Sequence, residues 1–260
     1  MSTKIHSTAL IEKGAEIADG VEIGPYCVIG PNVKIGPGTK LQSHVVVSGH
    51  TTMGKENTVF SFSTLGAVPQ DLKYKGEPTE LVIGDHNTIR ECVTLNLGTV
   101  SGGGKTVIGN HNLIMAYAHL GHDCIVGNHC IIANAVNMAG HVSIDDYANV
   151  GGVVGISQYV RVGKHAYISG FTPVDRDVLP YSILLGARIC EIKGANIVGL
   201  RRRGLDSSLI SIINESIKLW KRPDVSKEQC LLEIESQYGE YKEVQQLVEF
   251  IRKSENGCLK

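Results

Sequence analysis

The sequence is poor in aromatic residues, which make up 5% of it and include a single tryptophan. Ordinary globular cores draw much of their buried area from such rings, so this chain must build its interior from smaller side chains. Net charge is almost absent, since 25 Lys and Arg face 26 Asp and Glu and leave a formal charge of -1. That balance argues against a nucleic-acid or membrane affinity driven by bulk charge. No apolar run reaches the roughly 18 residues needed to span a bilayer, and the start Met1-Ser2-Thr3-Lys4-Ile5-His6 carries no apolar stretch of the signal-peptide kind. The seven cysteines are odd in number and form no C-x-x-C pair. Reduced thiols in a bacterial-type cytoplasm are therefore expected, not a disulfide framework.

Glycine is plentiful, with 30 residues, and it accompanies a beat of six. From Ile5 every sixth residue is aliphatic: Ile11, Ile17, Ile23, Ile29, Ile35, Leu41, Val47, Met53, Val59 and Leu65. A polar stretch around Gln70-Asp71-Leu72-Lys73 is skipped, and the beat returns in phase at Ile83, Ile89 and Leu95. Ser101-Gly102-Gly103-Gly104-Lys105 interrupts again and adds one residue, after which the beat runs from Ile108 through Ile114, Leu120, Val126, Ile132, Met138, Ile144, Val150, Ile156, Val162 and Ile168 to Val174.

A period of six does not match an α-helix, whose apolar stripe recurs every three or four residues. It suits short strands joined by tight corners, each strand pointing one aliphatic into a narrow interior. Three such strands make an 18-residue triangular coil, and a hexapeptide repeat is a signature of the parallel β-helix. The position four residues after each aliphatic is often small (Ala9, Ala15, Val21, Cys27, Val33), as a crowded corner demands. Glycine often follows the aliphatic directly, as at Gly24, Gly36, Gly109 and Gly163, where a positive φ at the corner is the expected reason. Beyond Pro180 the spacing turns helical: Leu205, Leu209, Ile212, Ile213, Ile217 and Trp220 recur at three and four. Pro223 ends that helix. A second helical stretch is expected over about 226–253 with a break near Gly239. The expected division is a β-helix over 1–187 and a helical part over 188–260, the latter serving at least as the cap that an open repeat end requires.

Three features decorate the scaffold. His119-Leu120-Gly121-His122-Asp123-Cys124 is followed about one coil later by Ala139-Gly140-His141. Such a cluster reads as a metal site, a general base or solvated surface; no cysteine pair joins it to make a structural zinc site. Histidine is the side chain best suited to act as a base near neutral pH, and Asp123 could hold the imidazole in one tautomer. The polar excursion at Gln70-Asp71-Leu72-Lys73 is either a binding loop on a rigid scaffold or a tolerated insertion. Arg201-Arg202-Arg203 suits phosphate contact, or equally a solvated charge run.

The order Pro69-Gln70-Asp71-Leu72-Lys73-Tyr74-Lys75-Gly76-Glu77, Ile89-Arg90-Glu91, His119-x-x-His122-Asp123-Cys124, Ala139-Gly140-His141 and Gly199-Leu200-Arg201-Arg202-Arg203-Gly204 resembles the UDP-N-acetylglucosamine O-acyltransferases, which begin lipid A synthesis in Gram-negative bacteria. The resemblance spans essentially the whole chain. It implies a left-handed winding of the β-helix and a cytoplasmic homotrimer. It further implies an enzyme that moves a 3-hydroxyacyl group from acyl carrier protein to the 3-position of the sugar, with no metal and no organic cofactor. By position His122 would be the general base, Asp123 its orienting partner and the Gly140 N–H the oxyanion donor. Gln70, Asp71, Lys73, His119, His141 and Gln158 would contact sugar and acyl chain, and Asn196, Arg202 and Arg203 the nucleotide end. Gly170 and Tyr167 would set acyl length. The site would lie between neighbouring subunits.

The chain departs from the family pattern at Ser157-Gln158-Tyr159, where His-Gln-Phe is usual. At Asn96-Leu97-Gly98-Thr99 a histidine and a basic residue usually precede Gly-Thr. One residue is added between Tyr181 and Asn196, and Val198 stands where glutamate is common. These changes bear on acyl length and on whether the acceptor is the 3-hydroxyl or a 3-amino analogue of the sugar. The competing readings are a zinc enzyme resembling the γ-type carbonic anhydrases, whose His-x-x-x-x-His spacing is missing from this cluster, another hexapeptide acyltransferase (acetyl-CoA-dependent or N-acylating), and a non-enzymatic β-helix.

Overall fold

A computed structural model describes residues 2–186 and 190–260. The chain winds as a left-handed parallel β-helix of triangular section, followed by a small helical group. Three sheets of 11, 9 and 8 strands form the faces, parallel throughout except for the last pair of the first, and most strands are only two residues long. We name them faces A, B and C, beginning with Lys4–Ile5, Leu10–Ile11 and Glu16–Ile17 respectively. Successive strands within a face are 18 residues apart through most of the chain, as in Leu113↔Ile131 and His119↔Asn137. The spacing widens to 30 between Thr58 and Thr88 and to 25 between Thr88 and Leu113, where the two interruptions are looped out without loss of register.

The second residue of each short strand carries the six-beat aliphatic and points inward. Ile29, Leu65, Ile89, Ile114, Leu120, Ile132, Val150 and Ile168 are all fully buried. At about 1.5–3 kcal/mol for each such side chain, this column is the main favourable term of the fold. The first coil is the exception, with Ile5 at 47% exposure and Ile11 and Ile17 only partly buried, because it has a neighbour on one side only.

The glycines that follow the aliphatics correct the sequence expectation. Gly24, Gly36, Gly109 and Gly163 do not have positive φ. Their need is space: a Cβ on Gly36 would lie 2.5 Å from the carbonyl carbon of Gly54, and one on Gly109 would lie 2.4 Å from the carbonyl oxygen of Gly127. The left-handed residue of each corner comes two positions later, and it is mostly not glycine. The A–B corner uses Tyr26, His44, Phe62, Cys92, Tyr117, Ala135, Val153 and Phe171. The B–C corner uses Asp123, His141 and Tyr159, and the C–A corner uses Glu56, His86, His111, His129, Tyr147, His165 and Tyr181. Six of the ten histidines therefore sit in a conformation that is uncommon outside glycine.

Stacking the corners stacks their rings. His86, His111, His129, Tyr147 and His165 form one column with centroid separations of 4.7, 4.8, 4.9 and 4.8 Å. Beneath it runs a buried amide ladder: Asn57 Oδ1 accepts from the Asn87 N–H, Asn87 Oδ1 from the Asn112 N–H and Asn112 Oδ1 from the Cys130 N–H, at 2.9, 2.9 and 2.7 Å.

Face A is completed by Ser182–Leu185 and, antiparallel to it, Glu191–Ala195. Four helices follow: α1 (Ile197–Arg202), α2 (Ser207–Trp220), α3 (Lys227–Tyr238) and α4 (Lys242–Arg252). Asp206 and Ser226 cap α2 and α3 by accepting from the N–H groups of Ser208 and Gln229. The break between α3 and α4 begins at Gly239, and Pro223 lies just past α2. The division expected between 187 and 188 falls outside the described residues. No described helix is long and apolar enough to cross a membrane.

Burial, assisted by the charges of Lys164 and Arg203, holds the His165 imidazole down to a pKa of about 4. The unfolded chain takes up this proton near pH 6.5, so between pH 6.5 and 4 the unfolded state binds more protons. Stability should therefore fall as the pH drops through that window, by on the order of 3 kcal/mol for this group. His165→Tyr, a ring already accepted at this corner by Tyr147 and Tyr181, should flatten the acid limb of a melting-temperature profile between pH 6.5 and 4. An unchanged limb would remove His165 as its source.

Candidate active site

The B–C corner carries the densest group of candidate residues. His122 and Asp123 stand on one coil, Gly140 and His141 on the next, and Gln158 and Tyr159 on the one after, each pair 18 residues from the last. The His122 ring is only 9% exposed, and its Nδ1 lies 2.7 Å from Asp123 Oδ2. An ionised carboxylate only accepts, so Nδ1 carries the proton and Nε2 is left with its lone pair outward. His141 meets His122 edge-on at 5.0 Å between ring centres, and Tyr159 stacks on His141 at 4.4 Å. Burial pushes the pKa values of His141 and His119 down, favouring their neutral forms. His119 Nδ1 is 2.7 Å from Thr94 Oγ1.

The Asp123 carboxylate is held from all sides. The Thr99 N–H donates to Oδ1 at 2.8 Å and the Thr99 hydroxyl to Oδ2 at 2.7 Å. The Asp123 N–H donates to Thr106 Oγ1 at 2.8 Å. The glycine-rich interruption becomes a short 3-10 turn, Val100–Gly102, capped by Thr99. Its Gly102 presses on the carboxylate so closely that a Cβ there would lie 2.0 Å from Asp123 Cγ. The sequence showed the interruption but not its purpose: Thr99 and Gly102 were missed as site residues, and only their place in a glycine-rich break of the beat hinted at them.

Gly140 has an equally tight reason to be glycine. Its Cβ would sit 2.4 Å from His122 Cε1 and 2.6 Å from Nε2. The Gly140 N–H meets no acceptor among the described residues. A hydrogen-bond donor and the outward imidazole nitrogen therefore border the same space.

Two clefts meet at this corner. One of about 610 Å³ runs down face B past Asn96, His119, Gly121, His122, Gly140, Gly155 and Pro173. Gly155 and Pro173 keep its outer surface low and apolar. The other, of about 400 Å³, is polar and lies beneath the excursion, between Gln70, Asp71, Lys73, Ser101, His141 and Gln158. Within that loop the Lys73 N–H donates to Asp71 Oδ1 at 2.9 Å, closing a tight turn.

The structure thus gathers Gln70, Asp71, Lys73, His119, His122, Asp123, Gly140, His141 and Gln158 at one edge. It does not bring the remaining candidates there. Asn196, Arg202 and Arg203 line a separate pocket of about 230 Å³ at the C–A corner, with His129, Tyr147 and His165. Asn196 caps α1 and donates to the His165 carbonyl at 3.1 Å, and the Arg203 guanidinium lies 4.9 Å over the Tyr147 ring. Tyr167 lies on a strand of face A, and Gly170 flanks the A–B corner. In a single chain neither of these groups shares the B–C edge with the histidines.

Ligating atoms of His122, Asp123 and His141 lie within 4.8 Å of one another, which is compatible with a metal ion. The chemistry of the donors favours a different use. Asp123 Oδ2 already accepts from Thr99 Oγ1 and His122 Nδ1. Those two bonds already occupy the lone pairs of that oxygen, so a metal there would have to displace one of them.

Residues 2–37 and 105–140 match the model of the bacterial transferase hexapeptide, and residues 177–259 match that of domain 2 of the UDP-N-acetylglucosamine O-acyltransferases. Among solved structures the chain is similar to the UDP-N-acetylglucosamine acyltransferase of Francisella novicida, with 40% identity, a TM-score of 0.95, and 98% of this chain and 93% of that one covered. LpxA from Acinetobacter baumannii gives 45% identity, a TM-score of 0.95, and coverage of 98% and 99%. LpxA of Bacteroides fragilis, also a UDP-N-acetylglucosamine acyltransferase, gives 38%, 0.96, and coverage of 98% and 100%. Repeat, corner site and helical tail all follow one pattern from end to end, and the chain belongs to the UDP-N-acetylglucosamine acyltransferase family.

Proposed function

We propose that this protein transfers a 3-hydroxyacyl chain from acyl carrier protein to the 3-position of UDP-N-acetylglucosamine, the first step of lipid A synthesis. The observation that carries the reading is the His122–Asp123 pair facing the unpaired Gly140 N–H at the junction of a polar and an apolar cleft.

The sugar lies in the polar cleft against Gln70, Asp71 and Lys73, with its 3-hydroxyl at His122 Nε2. The acyl chain lies along the low strip past Gly155 and Pro173, with its thioester carbonyl at Gly140. His122 takes the hydroxyl proton as the sugar oxygen attacks the thioester carbon, a service typically worth 10²–10⁴-fold. Asp123 stabilises the imidazolium that results. The Gly140 N–H receives the oxyanion; a donor of this kind contributes about 10²–10³-fold. The tetrahedral intermediate then collapses, the carbon–sulfur bond breaks, and His122 returns its proton to the departing carrier thiolate. Every one of these groups belongs to this chain, and no metal or organic cofactor enters the step.

A homotrimer completes the site. Tyr26, Phe62, Tyr117, Val153 and Phe171 form an exposed apolar ridge along the A–B corner, the kind of patch that marks a protein interface. A neighbouring protomer supplies Asn196, Arg202 and Arg203 for the nucleotide, and Gly170 with Tyr167 for the end of the acyl chain, because no single edge holds them all. Catalysis is assigned to the β-helical part (1–187) and nucleotide contact to the helical part (188–260). All seven cysteines are free, which suits a reducing cytoplasm.

The deciding experiment offers UDP-N-acetylglucosamine and its 3-amino analogue against 3-hydroxyacyl carrier proteins of several lengths. His122→Ala should lower kcat/KM by about 10³-fold or more while light scattering still reports a trimer. Near-wild-type rates would overturn the mechanism. Thr99→Val, which loosens Asp123 by one hydrogen bond, should reduce kcat roughly tenfold with little change in KM. Lys73→Ala should raise KM for the nucleotide sugar; kinetics identical to wild type would remove that contact.

A further inference from the structure

One buried polar group at the site has no partner. Asn96 is 3% exposed, lies on face B, and lines the apolar cleft. No hydrogen bond is formed by its side-chain Oδ1, which is out of contact with solvent. A buried amide carbonyl without a donor costs about 1–3 kcal/mol. Native structures pair nearly all such groups, and this one borders the cleft in which a substrate group could pair with it.

Register fixes where that ligand group lies. Leu95 pairs with Leu120, so Asn96 stands beside Gly121, one strand spacing of about 4.8 Å away. On its other side Asn96 pairs with Ala67, the strand that leads directly into Gln70–Lys73. Asn96 is therefore on the sugar side of His122, whereas Gly140, Gly155 and Pro173 continue on the opposite side. Two sugar substituents flank the reacting 3-oxygen, the 2-acetamido group and the 4-hydroxyl, and the chemistry of the Asn96 amide chooses between them. An asparagine amide offers both a carbonyl and an N–H, the complement of an acetamido group, which offers an N–H and a carbonyl in return. A ring hydroxyl donates and accepts through a single oxygen, so it does not make the two parallel hydrogen bonds that one amide makes with another.

Resting on the acyl-transfer reading above, we propose that Asn96 is a specificity residue that selects the acceptor sugar by pairing its side-chain amide with the 2-acetamido group. A site that hydrogen-bonds a substrate amide discriminates strongly against the analogue lacking it, because its own buried groups are then left unpaired.

The test compares UDP-N-acetylglucosamine with UDP-glucose as acceptors for the wild-type enzyme, Asn96→Ala and Asn96→Asp. Asn96→Ala should lower kcat/KM for UDP-N-acetylglucosamine by roughly 10–100-fold and for UDP-glucose by less than about threefold, so the acceptor ratio collapses. Asn96→Asp, which keeps an acceptor but exchanges the donor for a charge, should fall between the two. Without ligand, Asn96→Ala should melt no lower than wild type, because no internal hydrogen bond is lost. The rise in melting temperature on adding UDP-N-acetylglucosamine should shrink. A lower ligand-free melting temperature with an unchanged acceptor ratio would make Asn96 a structural residue and overturn the proposal. A loss that instead follows the hydroxyl of the acyl chain, seen by comparing 3-hydroxyacyl with plain acyl carrier protein, overturns it as well. A wild-type enzyme that transfers nothing to UDP-N-acetylglucosamine overturns the acyl-transfer reading itself, an outcome distinct from a failure of the Asn96 assignment alone.

Discussion

The molecule depends on one spacing constraint: residues 18 apart in sequence must lie against each other, one strand spacing apart in space. An inward aliphatic on every strand makes that stack favourable, and the parallel ladder locks its register. Whatever stands outside the prism is then repeated or contrasted coil by coil. Where glycines stack, the coils close to near contact, as at Gly36 over Gly54. Where rings stack, they form the His86–His165 column. Where unlike residues stack, a site appears: His122 over Gly140, and Asp123 over His141. An imidazole and a bare peptide N–H are brought together by a period that has no chemical purpose of its own.

Both interruptions of the period converge on that site. The polar excursion walls the polar cleft, and the glycine-rich turn after Thr99 encloses Asp123. Neither loop disturbs the coils above and below it, so the rigid stack absorbs their insertion while they supply the parts a strict repeat cannot make. A carboxylate as deeply enclosed as Asp123 has no freedom to swing, and the imidazole bonded to it inherits that fixity. Preorganisation here comes from the loop closing on the scaffold more than from the strand that carries His122.

Much of this was legible in the residues. The six-step aliphatics specified the triangular coil because their side chains have one interior to fill, and the switch to three-and-four spacing marked the helices. The histidine cluster and the Gln70–Lys73 excursion stood out as breaks in an otherwise regular text. The role of the glycines was misread, since sequence alone does not separate a need for positive φ from a need for room; the stacked backbone carbonyls decide it for room. The clasp of Thr99 on Asp123 and the unpaired amide of Asn96 were hidden for a different reason. Both depend on how an inserted loop folds back across neighbouring coils, which no fixed period encodes. Asn196, Arg203, Gly170 and Tyr167 were grouped with the histidines by resemblance, yet they lie away from that edge of the prism, so the proposed site joins them through a second copy.

That requirement is the central claim, and subunit mixing tests it most directly. His122→Ala and Arg203→Ala trimers, each inactive or nearly so, are dissociated, mixed and reassembled, and native mass spectrometry verifies the mixed species. In a closed ring every mixed trimer has one junction where an intact His122 faces an intact Arg203. Acyl transfer should therefore reappear on mixing, well above either parent. Mixed trimers that stay as inactive as their parents would mean that the catalytic edge and the nucleotide edge are not shared between protomers, and the account would fail.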